Sequence, residues 1–99
     1  MEKQTNREIS AYVYYDREAD AYDIPFYTFS DLNATRKFKI DSDKPGSIIN
    51  KFTKEFDLYK IGRFDLHTGK ATLEKKLIIE GNKIQYLKEE LKHEIRNEA

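Results

Sequence analysis

The feature that most constrains the fold is the segment at residues 9–15, ISAYVYY, which is rich in β-branched and aromatic residues and contains no breaker. This composition predicts a β-strand. Strand side chains alternate between the two faces of a sheet, so the segment divides into two sets. One face receives Ile9, Ala11, Val13 and Tyr15, and the other receives Tyr12 and Tyr14.

A polar turn at residues 16–20 leads into a second extended segment at residues 21–29. The short connection predicts an antiparallel hairpin. Pro25 lies inside the second segment and cannot donate a hydrogen bond to a neighbouring strand. It therefore predicts either an edge strand or a bulge at this point.

A helix is predicted over residues 31–41, because Ser30 and Asp31 are suitable capping residues and apolar side chains recur on one face of the segment that follows. Residues 47–56 are compatible with a short helix or with a turn. Two more strands are predicted at residues 58–64 and 71–79, joined by a loop.

Gly81 and Asn82 interrupt the last strand, and a charged segment with an apolar stripe predicts a helix over residues 83–98. The element order is thus ββαββα. We expect an α+β fold, with a mostly antiparallel four-stranded sheet, one covering helix and a C-terminal amphipathic helix. The expected division is a flexible N-terminus at 1–8, an α+β domain at 9–81 and the C-terminal helix at 82–99.

The 99-residue chain has no net charge, but its charges are unevenly distributed. Residues 32–63 carry eight basic and four acidic side chains, whereas residues 1–31 carry three basic and seven acidic ones. A local basic segment can attract phosphate even in a neutral protein. The chain contains no cysteine, which excludes disulfides and thiolate metal sites.

No metal site, cofactor or catalytic site is expected. His67 and His93 are far apart in the sequence, and the acidic residues near the first turn lack the spacing of a calcium loop. No apolar run is long enough to cross a bilayer, and the polar first residues do not resemble a signal peptide. These features predict a soluble cytoplasmic protein that does not bind membranes and is not an enzyme.

Three blocks of sequence resemble the small nonstructural protein of gokushovirus-type microviruses, which are single-stranded-DNA phages. The first is Tyr12-x-x-Tyr15-Asp16-x-x-Ala19-x-x-Tyr22-x-x-Pro25-Phe26, the second is Ala34-x-Arg36-x-Phe38, and the third is the stretch KFTKEFDLYKIGRFDLHTGK at residues 51–70. The resemblance implies a phage-encoded protein in the host bacterial cell that acts in DNA replication or in the switch to packaging. It implies no catalytic residue.

Basic and aromatic residues alternate through the middle of the chain, a pattern suited to single-stranded DNA, whose phosphates bind cations and whose bases stack on aromatic rings. The candidate cations are Arg36, Lys37, Lys39, Lys51, Lys60 and Arg63. The candidate rings, if their face of the sheet is open, are Tyr12, Tyr14 and Tyr59. The alternative is that the lysines form a solvated rim around a core containing Phe38, Phe52, Phe56 and Phe64.

The stripe on the C-terminal helix has three interpretations: it packs on its own domain, forms a homodimer seam, or binds a viral or host protein. The last would make the chain a protein–protein adaptor that never touches nucleic acid. The stripe consists of Ile84, Leu87, Leu91 and Ile95.

Overall fold

The computed structural model describes residues 7–87, which form an antiparallel five-stranded sheet with helices on one face. The strands are β1 (Glu8–Asp16), β2 (Ala21–Tyr22), β3 (Phe26–Thr28), β4 (Phe56–Asp65) and β5 (Ala71–Glu80). The helices are α1 (Asp31–Asp43), α2 (Ile48–Lys51), a 3₁₀ helix (Thr53–Glu55) and α3, which begins at Gly81 and is described through residue 87.

The strand order is β2-β1-β4-β5, and β3 pairs with the same edge of β1 as β2 does. The predicted α+β fold is confirmed, with one change: the second predicted strand is split in two. Residues 23–25 make no ladder between the two halves, and Pro25 lies in this gap. The missing N–H of proline is thereby accommodated at the sheet edge, as the sequence predicted.

Helices α1 and α2 each begin at a serine cap. The Ser30 hydroxyl accepts a hydrogen bond from the Asn33 N–H at 3.1 Å and starts α1. Ser47 accepts one from the Asn50 N–H at 3.0 Å and starts α2, so the ambiguous segment at 47–56 is helical in two short pieces. Each cap satisfies a backbone N–H that has no partner within its own helix.

The core lies between α1 and the sheet. Its two tyrosines keep their hydroxyls hydrogen-bonded: Tyr12 donates to Asp31 at 2.5 Å and Tyr14 donates to Asp41 at 2.7 Å. Burial, followed by these hydrogen bonds to carboxylates, raises the pKa of both phenols well above the usual value. The buried core cluster comprises Tyr12, Tyr14, Ala34, Phe38, Phe56, Leu58 and Ile84.

Two phenylalanines assigned to the core by sequence are exposed instead. Phe52 follows α2 on the surface, and Phe64 lies near the end of β4 on the sheet face opposite α1. Only Phe38 and Phe56 of the four predicted residues belong to the core cluster.

The first turn of α3 belongs to the same core as the strands, because Ile84 is fully buried there. The expected boundary after residue 81 therefore cuts through one packed unit. Ile84 is also unavailable to a partner, which corrects its assignment to an oligomer or partner seam. Leu87 is exposed. Leu91 and Ile95 lie outside the described residues.

Candidate nucleic-acid interface

The two faces of the sheet differ in what covers them. Helix α1 packs on the face that carries Tyr12 and Tyr14. No described element packs on the opposite face, which we call the open face. The cross-strand pairs Tyr15↔Tyr22, Val13↔Tyr59 and Ala11↔Tyr27 put aromatic rings from four strands on this open face.

Three tyrosines and one lysine form a cluster at one end of the open face. The Tyr15 ring centroid lies 4.6 Å from that of Tyr22 and 6.4 Å from that of Tyr59. The Lys75 ammonium lies 5.0 Å from the ring centroids of both Tyr22 and Tyr59. It also donates a hydrogen bond of 2.6 Å to the Tyr22 hydroxyl. We refer to Tyr15, Tyr22, Tyr59 and Lys75 as the tyrosine cluster.

Hydrogen bonds raise the pKa of two members of this cluster, Tyr15 and Lys75. Tyr15 donates to Asp20 at 2.5 Å, and this bond to a carboxylate raises the pKa of Tyr15 to about 12. The hydrogen bond to the Tyr22 hydroxyl raises the pKa of Lys75. Tyr15 is therefore neutral and Lys75 is cationic at neutral pH, so the cluster presents flat rings beside one positive charge.

Several other residues of the open face are apolar and exposed, although Val13 on the same face is buried. Leu73 on β5 is 91% exposed, and Tyr27 on β3 is 64% exposed. Phe64 and Leu77 are also on this face and exposed. Exposed apolar patches of this kind on a small domain commonly mark a binding surface.

Most of the predicted DNA-binding cations already have acidic partners. Lys37 lies 2.6 Å from Asp41, and its ammonium lies 4.6 Å from the Phe26 ring centroid. Lys39 lies 3.2 Å from Asp43. These α1 lysines are held along the helix, so their charges are largely balanced.

A β-bulge explains why Lys60 and Arg63 share one acidic partner. The register between β1 and β4 shifts between Ala11 and Tyr12, which leaves Ile61 as the extra residue of β4. Lys60 and Arg63 consequently lie on the same face, the one covered by α1. Glu74 binds both, at 3.5 Å and 3.2 Å, and Arg63 also binds Glu8 at 3.0 Å.

Arg36 and Lys51 are the two remaining predicted cations, and both are exposed. Within residues 7–87 neither has an ion-pair partner. They lie on α1 and α2, outside the tyrosine cluster on the sheet. The structure therefore does not assemble the six predicted cations into one patch.

The predicted stacking tyrosines divide between the two faces. Tyr12 and Tyr14 are buried under α1, so the condition that their face be open is not met, and they cannot stack on bases. Tyr59 is on the open face. Sequence reasoning missed Tyr15, Tyr22 and Lys75. Strand alternation did separate Tyr15 from the buried pair, but only the covering helix decides which set is open.

Other chemistry is not assembled in the part of the chain that is described. Residues 7–87 contain no group of three or more His, Cys, Asp or Glu side chains arranged to hold a metal ion. None of the helices found there is long and apolar enough to cross a membrane.

Comparison with known proteins places the chain in a family. The model of the family described as Phage ORF5 protein matches residues 9–84, which is most of the chain. The protein therefore belongs to the phage ORF5 protein family and is a bacteriophage protein. The match ends at Ile84, the residue through which α3 enters the core. No curated protein and no solved structure matches the chain significantly.

Proposed function

We propose that this phage protein is a non-enzymatic accessory protein that binds single-stranded DNA on the open face of its sheet. The tyrosine cluster carries the proposal: rings from β1, β2 and β4 lie side by side, with Lys75 over two of them. Aromatic rings on an uncovered sheet are a known platform for unpaired bases, and duplex DNA offers no exposed base faces to them.

Stacking accounts for affinity better than charge does here. Each stacked base contributes about 1–3 kcal/mol, so two accessible rings give useful binding. The half-exposed Tyr22 and the adjacent Tyr59 are suited to this role. Lys75 supplies one phosphate contact or a cation over a base.

The ion pairs limit how strongly salt affects binding. Carboxylates neutralise Lys37, Lys39, Lys60 and Arg63, so only two of the six predicted cations, Arg36 and Lys51, remain without an ion pair among the described residues, and both lie outside the tyrosine cluster. One or two phosphate contacts give a slope of log Kobs against log salt of about −0.7 to −1.4 for a single strand. This slope is shallower than the slope expected if the whole basic segment at residues 32–63 contacted phosphates.

Replacing Tyr22 with alanine is expected to weaken single-strand binding by about 5- to 150-fold, the equivalent of one lost stacked base. Lys75→Gln is also expected to weaken single-strand binding and to make the slope of log Kobs against log salt shallower. Fluorescence anisotropy with a labelled oligonucleotide, titrated at several salt concentrations, measures both effects.

Two controls match these variants. Tyr86 is 63% exposed but lies on α3, away from the open face, so Tyr86→Ala is expected to leave DNA affinity unchanged. Lys54→Gln removes an exposed lysine of the 3₁₀ helix and serves as the control for Lys75→Gln. Equal affinity of wild type and Tyr22→Ala for the single strand would exclude this surface.

The biological setting belongs to the same proposal. The resemblance to the gokushovirus-type nonstructural protein supports a role in replication of phage DNA or in the switch to packaging, in the cytoplasm of the host bacterium. Membership of the phage ORF5 family is compatible with this setting.

An adaptor function is the second candidate, and one observation favours it. An apolar groove of about 480 Å³ lies where β5 meets α3, lined by Ile79, Asn82, Lys83, Tyr86 and Leu87. Tyr86 and Leu87 are exposed on it. A viral or host protein could bind there without any contact to nucleic acid.

Truncation after Leu87 tests the adaptor function without removing Ile84 from the core. If the adaptor function is correct, the shortened chain is expected to stay folded, as judged by circular dichroism, but to lose a phage or host protein captured by the full chain. The matched variant Leu87→Ala, in the full-length chain, should weaken the same capture. The truncated chain keeps all five lining residues of the groove, so it tests Leu91 and Ile95 of the stripe, whereas Leu87→Ala tests the groove itself. Unchanged capture by both variants would exclude the adaptor function.

A further inference from the structure

Among the described residues, one edge of the ten-residue strand β5 has no pairing partner. This strand is the last in the sheet order and pairs only with β4 among the described residues. An exposed edge of this length presents unpaired N–H and C=O groups, which another strand can complete.

The side chains of β5 alternate cleanly through its middle. Leu73, Lys75 and Leu77 are on the open face, as shown by the pairing of Leu73 with Gly62, the bond from Lys75 to Tyr22 and the pairing of Leu77 with Tyr59. Glu74 and Lys76 are on the other face, where Glu74 binds Lys60. The strand thus carries two leucines on either side of Lys75 on one face, and the oppositely charged Glu74 and Lys76 on the other face.

This pattern is complementary to itself in a single register. Consider two copies of β5 aligned antiparallel, with Lys75 of one opposite Lys75 of the other. Glu74 of each copy then faces Lys76 of the second copy, and Leu73 of each faces Leu77. Opposed side chains in such a pair have Cβ atoms about 4.5–5.5 Å apart, close enough for both kinds of contact.

The neighbouring registers are unfavourable. Two opposed residues in an antiparallel pair lie on the same face of the sheet. The two nearest alternative registers therefore place Glu74 opposite Glu74 or Lys76 opposite Lys76. The first opposes two carboxylates and the second opposes two ammonium groups. At the centre of the favourable register, each Lys75 ammonium is already bound to the Tyr22 hydroxyl at 2.6 Å, toward its own sheet.

The geometry points to a second copy of this chain as the partner of β5, forming a homodimer with one continuous antiparallel sheet. Charged residues on an edge usually prevent pairing. Here their order, Glu74-Lys75-Lys76, selects one partner and one register instead. Pairing also covers Leu73, the most exposed large apolar residue described. This inference does not depend on DNA binding.

Sedimentation equilibrium of the full chain, from about 1 to 100 μM, tests the dimer in the range where weak homodimers form. Wild type is expected to dimerise. Lys76→Glu places a carboxylate opposite Glu74 at two symmetric contacts, and the dissociation constant is expected to rise about tenfold or more. Lys54→Glu, a charge reversal away from β5, should not change it.

Mixing two variants provides the decisive result. Glu74→Lys and Lys76→Glu should each self-associate poorly, but an equimolar mixture should form the heterodimer, because both pairs formed by positions 74 and 76 are then oppositely charged. Tyr15→Ala removes a ring of the tyrosine cluster that does not contact Lys75, so it should remain dimeric even if it loses DNA, which separates this inference from the proposed function. A monomeric wild type would overturn the inference, as would Lys76→Glu dimerising as tightly as wild type.

Discussion

Phe38→Ala is expected to lower the free energy of unfolding by about 3–5 kcal/mol, the range for removing a buried phenylalanine. Phe38 is fully buried between α1 and the sheet, and its ring centroid lies 5.1 Å from that of Tyr14. A domain of this size typically has a stability of about 5–15 kcal/mol, so the loss would be a large part of the total. Urea denaturation followed by circular dichroism measures it.

Ile40→Ala is the matched control, because Ile40 is on the same helix but is 65% exposed. Its effect is expected to stay within about 0.5 kcal/mol. If both substitutions lower the free energy of unfolding equally, α1 does not pack on the sheet through Phe38. The assignment of the open face would then also be wrong.

Gly81→Ala is expected to destabilise the fold by about 3 kcal/mol, the upper end of the range for overpacking, because the obstacle is backbone. A Cβ at this position would overlap the carbonyl oxygens of Thr53 and Phe56. Neither oxygen can move without shifting the 3₁₀ helix or the start of β4. The displaced α3 would also draw Ile84 out of the core.

The control for this substitution is Asn82→Ala, at the next residue of the same helical turn. Asn82 is exposed, and its replacement is expected to change stability by less than about 0.5 kcal/mol. Urea denaturation of both variants gives the comparison. A Gly81→Ala protein as stable as wild type would mean that α3 does not approach the 3₁₀ helix this closely.

The sequence predicted the elements because their signals are local. Alternation in β1, the serine at the start of α1 and the loop between β4 and β5 each depend on near neighbours. Pro25 predicted an edge strand or a bulge for the same reason, because the missing N–H is a property of one residue, and the segment does lie at the sheet edge. Its division into β2 and β3 was not predicted.

The candidate site was predicted less well, because it depends on which elements meet in space. Lys60 and Arg63 look like free cations in the sequence, yet Glu74 binds both from the neighbouring strand. Tyr22 and Lys75 are 53 residues apart and meet only through the order of the strands.

The amino-acid sequence by itself determined the α+β class, the strand and helix order and the separation of Tyr15 from Tyr12 and Tyr14. The tertiary structure decided which of these two sets is buried, since either face of β1 could have received α1. It also decided that Gly81 lies against backbone and that Ile84 closes the core. Periodicity specifies the two faces of a strand, but only packing specifies which face is left for function.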